Sequence, residues 1–225
     1  VIVIERYRIE PHLAYIRPEA EAVKSRAEQG ESFLDFAVGK TSVNPEFGRN
    51  AAELEKIRRM IDLVQDDKDL TIKRIVIVGA TSGIGLEVAK LCIQAGWQIG
   101  AAGRREEALE KLRTQAPDLI VTKSLDITRD DAPEHLSRLI DKLGGMDIYL
   151  HCSGIGKRNT ELHPDIEIDT LRTNGEGFVR MVTAAFGYFR AHGGGHLAVI
   201  SSIAGTKGLG SAPAYSATLS LIHIS

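Results

Sequence analysis

The sequence predicts an α/β fold in which helices cover both faces of a doubly wound parallel sheet, over residues 73–218. Short apolar runs alternate with amphipathic stretches from Lys73 onward, at lengths typical of strand–helix repeats. The first run, Ile75 to Val78, has no helical spacing and suits a strand that is buried on both faces. Three glycines and an amphipathic stretch follow it, so the first repeat reads strand, turn, helix.

The later repeats keep this order along the chain. Strands are predicted at 98–103, 120–125, 146–151 and 197–201, and helices at 106–115, 133–143 and 166–190, the last interrupted by glycines. Sheets of this kind bind ligands beyond the carboxyl ends of their strands, so we expect the functional residues there.

Composition limits the classes of function. The chain has 225 residues, of which 43% are hydrophobic and 26% charged, with a net charge of −2. These values are typical of a globular protein and give no basic excess for binding nucleic acid. No apolar run reaches the ~18 residues of a membrane span. Cys92 and Cys152 fall in a predicted helix and at a strand end, so no disulfide is expected and the cytoplasm is the expected location.

Residues 1–72 differ from the rest and suggest no catalytic cluster. A strand is predicted over Val1 to Ile9, and helices at 19–29 and 51–66 enclose a loop at 39–48. Residues 13–72, beginning with Tyr15-Ile-Arg-Pro-Glu-Ala-Glu-Ala-Val-Lys-Ser-Arg, resemble a segment of bacterial outer-membrane-type cell-envelope proteins. Two interpretations stay open, a mainly helical N-terminal extension or a fused fragment of another gene.

The glycine turn after the first strand of the α/β region carries the functional argument. Glycines let the main chain turn sharply and approach a pyrophosphate, and the next helix offers free N–H groups and the positive end of its dipole. The spacing Gly-x-x-x-Gly-x-Gly resembles the short-chain dehydrogenase/reductase family, and the resemblance covers residues 73–218. It implies a Rossmann fold and hydride transfer between a nicotinamide cofactor and a carbonyl or alcohol substrate. The turn residues predicted to bind the cofactor are Gly79, Thr81, Ser82, Gly83, Ile84 and Gly85.

The end of the next strand indicates which nicotinamide cofactor is bound. An acidic residue there would accept hydrogen bonds from the ribose hydroxyls of NAD. This chain instead has Arg104 and Arg105 after Gly103. A guanidinium group matches a phosphate through paired hydrogen bonds, so NADP is predicted rather than NAD. The alternative is that the two arginines simply begin a surface helix.

Two further segments match the cofactor site of the family. Asp126 and Ile127 fall where the family places an acidic and an aliphatic residue against the adenine. The segment Asp147-Ile-Tyr-Leu-His-Cys-Ser-Gly154 matches the family pattern D-I-L-V-N-N-A-G, except that His, Cys and Ser replace Asn, Asn and Ala and the sheet-bracing amide is lost. The residues predicted beside the cofactor are Cys152, Ser153 and Gly154. A metal site at His151 and Cys152 is not expected, because adjacent residues of a strand point to opposite faces.

Three later motifs supply the predicted catalytic residues. Hydride transfer to a carbonyl leaves an alkoxide, and a phenol can protonate it if its pKa, about 10 when free, is lowered. Ser201-Ser202-Ile-Ala-Gly and Ala214-Tyr215-Ser-Ala-Thr resemble the family's S-S-x-A-G and Y-S-A-S-K, and Ser202 lies thirteen residues before Tyr215 as in the family. The resemblance implies that Ser202 holds the substrate oxygen and Tyr215 donates the proton. Asn174 matches the family's catalytic asparagine, which implies that it supports a water in the proton relay.

The family's lysine, four residues after the tyrosine, is replaced by Leu219. In the family this lysine lowers the tyrosine pKa and binds the nicotinamide ribose, and leucine can do neither. The tail Leu219-Ser-Leu-Ile-His-Ile-Ser225 reads like a translated sequencing adapter. We therefore expect a C-terminally truncated domain with a non-native tail at 219–225. The alternative is a reductase that has lost its lysine.

The sequence thus predicts a short-chain oxidoreductase that uses NADP and is inactive as this chain, with an uncovered sheet edge where further strands would pair. A small-molecule carbonyl or alcohol is the expected partner. Nucleic acid and membrane are not, and intact family members are expected to be homo-oligomers. Two other classes stay open. One is a non-catalytic NADP-binding or interaction protein, and the other is a cell-envelope structural protein identified by residues 1–72.

Overall fold

The computed structural model describes the main chain of residues 2–9, 17–18 and 73–224 and the side chains of residues 73–222. The strands are β1 (Ile2–Ile9), β2 (Arg17–Pro18), β3 (Arg74–Val78), β4 (Gln98–Gly103), β5 (Ile120–Ser124), β6 (Ile148–His151) and β7 (Gly195–Ser202). The α-helices are α1 (Gly83–Gln94), α2 (Glu106–Arg113), α3 (Ala132–Leu143), α4 (Pro164–Thr170), α5 (Phe178–Ala191) and α6 (Pro213–Ile224). A π-helical segment, Leu171–Gly177, joins α4 to α5, and a 3-10 turn, Ile203–Gly205, follows β7.

The strands form one sheet in the order β2-β1-β7-β6-β3-β4-β5. The five strands from β7 to β5 are parallel, and a helix follows each of β3, β4, β5 and β6 before the next strand. The chain moves outward from β3 through β4 to β5 and then returns to the other side of β3 with β6 and β7. The predicted doubly wound α/β fold is therefore confirmed. The order reverses between β3 and β6, which is where such sheets form a ligand crevice.

Apolar side chains on both faces of the sheet explain the continuous run in β3. Val76 and Val78 pack on one face, with buried residues of α3, α5 and α6. Ile75 and Ile77 pack on the other face, with buried residues of α1 and α2. Burying one such side chain stabilises the fold by about 1.5–3 kcal/mol relative to its exposure.

The outer edge of β7 is paired, which corrects the prediction of an uncovered edge. Strand β1 runs antiparallel to β7 along its whole length, from Ile2 opposite Ser202 to Ile9 opposite Gly195. The main-chain N–H and C=O groups of that edge gain partners from the N-terminal part of the chain, and this pairing blunts an otherwise reactive edge. The strand predicted over the first nine residues is observed as β1.

The helix predicted at 166–190 is longer and differently built. It begins at Pro164, whose missing N–H suits a first helical position, and it ends at Ala191. Its glycines do not interrupt it, because Gly175 and Gly177 lie in the π-helical segment and Gly187 lies within α5. A Cβ at Gly177 would lie 2.8 Å from Ile127 Cγ1, so glycine lets this helix approach the loop after β5. Single π-helical turns often occur at functional sites.

The C-terminal residues continue α6 instead of lying apart from the fold. Leu219 is 7% exposed and Ile222 4% exposed, and both belong to the core on the α3–α5 face. The predicted helices at 19–29 and 51–66, the loop at 39–48 and the resemblance over 13–72 lie outside the described residues. In the described part of the chain, no helix has both the length and the apolar character needed to cross a bilayer.

Candidate cofactor and catalytic site

The glycine turn lies at the carboxyl end of β3, directly beneath the end of β6. Gly79 has a φ of +101°, and a Cβ there would lie 2.7 Å from the main-chain nitrogen of Ser153. A Cβ at Gly85 would collide with the carbonyl of Gly79. The positive φ requires glycine at position 79, and close packing requires it at both positions. The turn is therefore packed tightly against the segment that follows β6, and its predicted contact with a cofactor stays a prediction.

The start of α1 suits an anion. The exposed side chain of Ser82, the residue before the helix, makes no capping hydrogen bond, and the first turn contains no acidic residue. Gly83 has a φ of +55° and open space where a Cβ would lie. The N–H groups and the positive dipole end of α1 therefore face a region that accepts negative charge, which fits the pyrophosphate of a dinucleotide.

The two arginines after β4 point to different partners. Arg105 folds back onto the glycine turn, where its Nη2 and Nε donate to Thr81 Oγ1 at 3.0 and 3.3 Å. Arg104 is exposed and close enough to Asp126 to lower the pKa of that carboxyl group. A Cβ at Gly103 would lie 2.7 Å from Thr81 Cγ2, so glycine brings the end of β4 onto the turn. One guanidinium group is thus attached to the glycine turn, and the other lies near the loop after β5.

The loop after β5 is held from two sides. Asp126 Oδ1 accepts hydrogen bonds from the N–H and hydroxyl of Thr128, at 3.0 and 2.8 Å. Partial burial opposes its ionisation, yet these bonds and the charges of Arg104 and Arg129 lower its pKa. Ile127 is buried, and its carbonyl accepts a bond from Arg180 of α5 at 3.0 Å. The pair predicted to contact the adenine is therefore rigidly placed at the sheet's carboxyl edge.

The end of β6 carries the residues that depart from the family pattern. His151 is 2% exposed; its Nδ1 lies 2.9 Å from the hydroxyl of Tyr149, and its Nε2 is buried without a hydrogen-bond partner. Burial lowers the pKa of His151 to about 4. Burial also raises the pKa of the Cys152 thiol far above its ordinary value, which favours the protonated thiol over the thiolate. The N–H of Cys152 donates to the carbonyl of Val78 at 2.8 Å, which ties this segment to β3.

Asn174 lies in the π-helical segment and fastens the chain that follows β6. Its Oδ1 accepts the N–H of Ile155 at 2.8 Å, and its Nδ2 donates to the carbonyl of Ile155 at 2.7 Å. The side chain is 3% exposed, so both ends of the amide are satisfied within the protein. Its predicted role in a proton relay stays a prediction.

Ser202 ends β7 at the same edge of the sheet. Its Oγ accepts the N–H of Ala204 at 3.2 Å and thereby starts the 3-10 turn. Ser201, the other serine of the motif, is 4% exposed. Ser202 is the more accessible of the two, and its predicted contact with substrate stays a prediction.

Tyr215 lies in the first turn of α6, and its ring covers the segment after β6. A Cβ at Gly156 would lie 2.9 Å from Tyr215 Cε2, so any larger residue there would displace the ring. Helix α6 packs against the π-helical segment, the 3-10 turn and β7. The structure therefore brings together the elements that carry Asn174, Ser202 and Tyr215.

Leu219, at the position of the family's lysine, faces the core. The described residues offer no cation at that position of α6, and no group of three or more His, Cys, Asp or Glu side chains among them converges as a metal site. The sequence argument missed three residues that organise this region. Asn159 donates a hydrogen bond to Glu167 at 2.7 Å, and Ser216 Oγ accepts the N–H of Leu209 at 2.9 Å. The polar stretch before Pro164, which contains Asn159, was the available signal for the first of these.

Comparisons with known proteins agree with this arrangement. A family model described as short chain dehydrogenase matches residues 73–220. An uncharacterized oxidoreductase of Staphylococcus aureus (strain MW2) is 30% identical over 158 residues, which cover 68% of this chain and 68% of that protein. An uncharacterized oxidoreductase of Mycobacterium tuberculosis is also 30% identical over 158 residues, covering 66% of this chain and 62% of the relative.

Solved structures share the fold. Serine dehydrogenase from Escherichia coli superposes with a TM-score of 0.62 at 26% identity, over 67% of this chain and 71% of that one. A short-chain dehydrogenase from Streptomyces avermitilis superposes with a TM-score of 0.62 at 26% identity. The superposition covers 68% of this chain and 58% of that one. ElxO with NADP bound superposes with a TM-score of 0.60 at 22% identity, over 68% of this chain and 64% of that one. This match shows likeness of fold alone.

These matches do not bear out the cell-envelope resemblance of residues 13–72 or the interpretation of residues 219–225 as a translated adapter. They do bear out the family resemblance of the α/β region, since the family model alone spans more than half of the chain. The chain belongs to the short-chain dehydrogenase family of oxidoreductases.

Proposed function

We propose that this site transfers hydride between NADP(H) and a small carbonyl or alcohol substrate, with Asn174, Ser202 and Tyr215 as the reacting machinery. When bound, the nicotinamide supplies or accepts the hydride at the substrate carbon. In the direction of reduction Ser202 donates a hydrogen bond to the carbonyl oxygen, and Tyr215 donates its phenolic proton to that oxygen as the alkoxide forms. Asn174 holds the loop beneath Tyr215 and supports a water through which the phenolate of Tyr215 regains a proton.

The observation that carries this proposal is that Tyr215 and Asn174 both contact the loop after β6. Tyr215 covers Gly156, and Asn174 binds both main-chain groups of the adjacent Ile155. Two residues more than forty positions apart in sequence thus hold the same segment at the carboxyl edge of the sheet. This arrangement supports a proton donor with a fixed orientation beside the ligand crevice.

NADP is the proposed cofactor rather than NAD. Arg105 lies on Thr81 of the turn and Arg104 lies near Asp126, so two positive charges flank the region where a 2′-phosphate would lie. Since Asp126 is already engaged by Thr128, it leaves Arg104 available for a phosphate. The neighbour solved with NADP bound is consistent with this preference.

The buried Leu219 supports the further proposal that this chain binds NADP but turns substrate over poorly. Without a cation one turn after Tyr215, no described side chain of α6 carries a positive charge that would assist loss of the phenolic proton or hold the nicotinamide ribose. The same observation favours the second candidate, a non-catalytic NADP-binding protein on this fold. The two candidates differ only in turnover.

The experiment measures binding and turnover on the same preparation. NADPH binding is followed by fluorescence titration, and NADPH oxidation is followed by absorbance against a panel of ketones and aldehydes. Saturable binding with turnover that Tyr215→Phe abolishes supports the oxidoreductase. Saturable binding without turnover supports the non-catalytic candidate, and absence of binding overturns both.

The remaining proposals concern the partner, the oligomeric state and the cellular compartment. The proposed partner is a small molecule, and a homo-oligomer is the proposed assembly, in line with the family. The thiols of Cys92 and Cys152 are free, which supports a reducing compartment such as the cytoplasm.

A further inference from the structure

Glu167 connects helix α4 to the first turn of helix α6. Its Oε2 accepts the main-chain N–H of Ala214 at 2.8 Å, and its Oε1 accepts a hydrogen bond from Asn159 Nδ2 at 2.7 Å. Ala214 immediately precedes Tyr215. The carboxylate is therefore one residue away from the proposed proton donor, although 48 positions separate Glu167 from Tyr215 along the chain.

The bond to Ala214 satisfies a need of the helix itself. The first N–H groups of an α-helix have no acceptor within the helix, and Ala214 is the second residue of α6. A carboxylate at this end also complements the positive end of the helix dipole. Glu167 thus acts as a cap supplied from another helix, and it fixes where α6 begins.

Asn159 holds Glu167 in place. It is 2% exposed; its Nδ2 also donates to the carbonyl of His163 at 3.0 Å, and its Oδ1 accepts the N–H of His163 at 2.9 Å. Its own N–H donates to the carbonyl of Ser211, two residues before α6. Through its side chain and its main-chain N–H, Asn159 therefore joins the loop after β6, the start of α4 and the approach to α6 in one network.

This network and the Asn174 clamp hold the two ends of the same short segment. Asn174 fixes Ile155, the Asn159 network fixes the other end, and the Tyr215 ring packs on Gly156 between them. The direction of the Tyr215 side chain is then set by two things, the segment under its ring and the start of α6. Glu167 fixes the start of α6 by accepting the N–H of Ala214.

We propose that Glu167 is a positioning residue for Tyr215, which orients the phenol through the N–H of Ala214 without touching substrate or cofactor. The proposal rests on the function assigned above to Tyr215. A purely structural carboxylate would stabilise the whole domain and leave the tyrosine no more affected than any other part of it.

The test uses the 225-residue chain labelled with 3-fluorotyrosine and followed by fluorine NMR, with Tyr215→Phe to assign the resonance. Glu167→Ala removes the acceptor, Glu167→Gln keeps one oxygen for Ala214, and Asp169→Ala changes an exposed acid of the same helix as a control. Amide hydrogen exchange at residues 214–216 and the urea unfolding midpoint are measured on each variant.

In Glu167→Ala we expect a shifted or broadened Tyr215 resonance and exchange at Ala214 at least ~tenfold faster, with the Tyr149 and Tyr188 resonances unmoved. Glu167→Gln should restore the Tyr215 signal to near its original position, and Asp169→Ala should change nothing. A Tyr215 resonance that stays in place in Glu167→Ala, or that moves only together with those of Tyr149 and Tyr188, overturns the proposal.

None of these readouts needs cofactor or turnover. A failure of the proposed function would appear as absent NADPH binding in the titration, whereas a failure of the positioning role would appear in the fluorine spectrum. The two results are therefore separable.

Discussion

Asn174 and Ile155 close a small hydrogen-bonded ring, in which the amide oxygen of Asn174 accepts the N–H of Ile155 and its amide nitrogen donates to the carbonyl of the same residue. Only an amide side chain offers a donor and an acceptor in this pairing. These two hydrogen bonds attach the π-helical segment between α4 and α5 to the chain that follows β6. The ring of Tyr215 packs on this chain at Gly156.

Asn174→Asp should therefore destabilise the protein although it is nearly isosteric. The carboxylate can still accept the N–H of Ile155, but it places a charge against the carbonyl that the amide nitrogen served. Leaving that carbonyl unsatisfied costs about 1–3 kcal/mol, which urea unfolding would measure. Arg172→Ala, at an exposed position of the same segment, serves as the control. Equal urea midpoints for Asn174→Asp and Arg172→Ala would contradict a stabilising role for the hydrogen bonds between Asn174 and Ile155.

A second prediction concerns the choice of nucleotide. NADPH should bind at least ~tenfold more tightly than NADH, because a charge-assisted phosphate contact contributes ~1.5–3 kcal/mol. Arg104→Asp should reverse this order, and Arg105→Ala should weaken NADPH binding while sparing NADH. Arg113→Ala removes an exposed arginine paired with Glu110 at the far end of α2 and should leave both affinities unchanged. Equal affinities of the unaltered chain for the two nucleotides would identify the arginines as surface charge only.

A third prediction is a loss of stability in mild acid through His151. Burial lowers its pKa from 6.5 to about 4 in the fold, so the unfolded chain binds the extra proton first. Stability from this group is complete above about pH 6.5 and decreases as the pH falls from there towards about 4. At ~1.36 kcal/mol per pKa unit the loss is on the order of 3 kcal/mol.

His151→Asn provides the reference, since an amide does not titrate in this range. Urea midpoints measured across the window should fall more steeply with acid for the unaltered chain than for the variant. Parallel pH profiles for the two proteins would show that His151 is not the titrating group.

A fourth prediction concerns the end of α6. Leu219→Ala should destabilise the domain by about 2–5 kcal/mol, because Leu219 is only 7% exposed in the core. Leu221→Ala, at a neighbouring position that is 36% exposed, should cost far less. Thermal or urea unfolding distinguishes the two, and an equal small effect would mean that the last turns of α6 do not contribute to the folded core.

The elements that sequence patterns predicted are those built from neighbours along the chain. The buried run of β3, the glycine turn and the periodicity of α1 all follow from local spacing, and the structure has each of them. Gly177 shows where this fails. Its role comes from Ile127, fifty residues away, so its glycine predicted a break where the helix continues.

The Asn159–Glu167–Ala214 network failed to appear in the sequence argument for a similar reason. Each member by itself is a common polar or small residue, and only the packing of α4 beside α6 gives the carboxylate its partner. Likewise, no spacing predicts that β1 pairs with β7, because strand pairing depends on which edge is free once the sheet has formed.

That last pairing sets an order of events during synthesis. Residue 2 lies opposite residue 202, so 200 positions of chain must be made before β1 finds its complete partner. At ~5–20 residues per second this takes roughly 10–40 s. We therefore expect stalled nascent chains that lack β7 to be cleaved by protease within β1, and released chains to resist cleavage there. The strand that closes this sheet edge is therefore translated well before the strand that protects it.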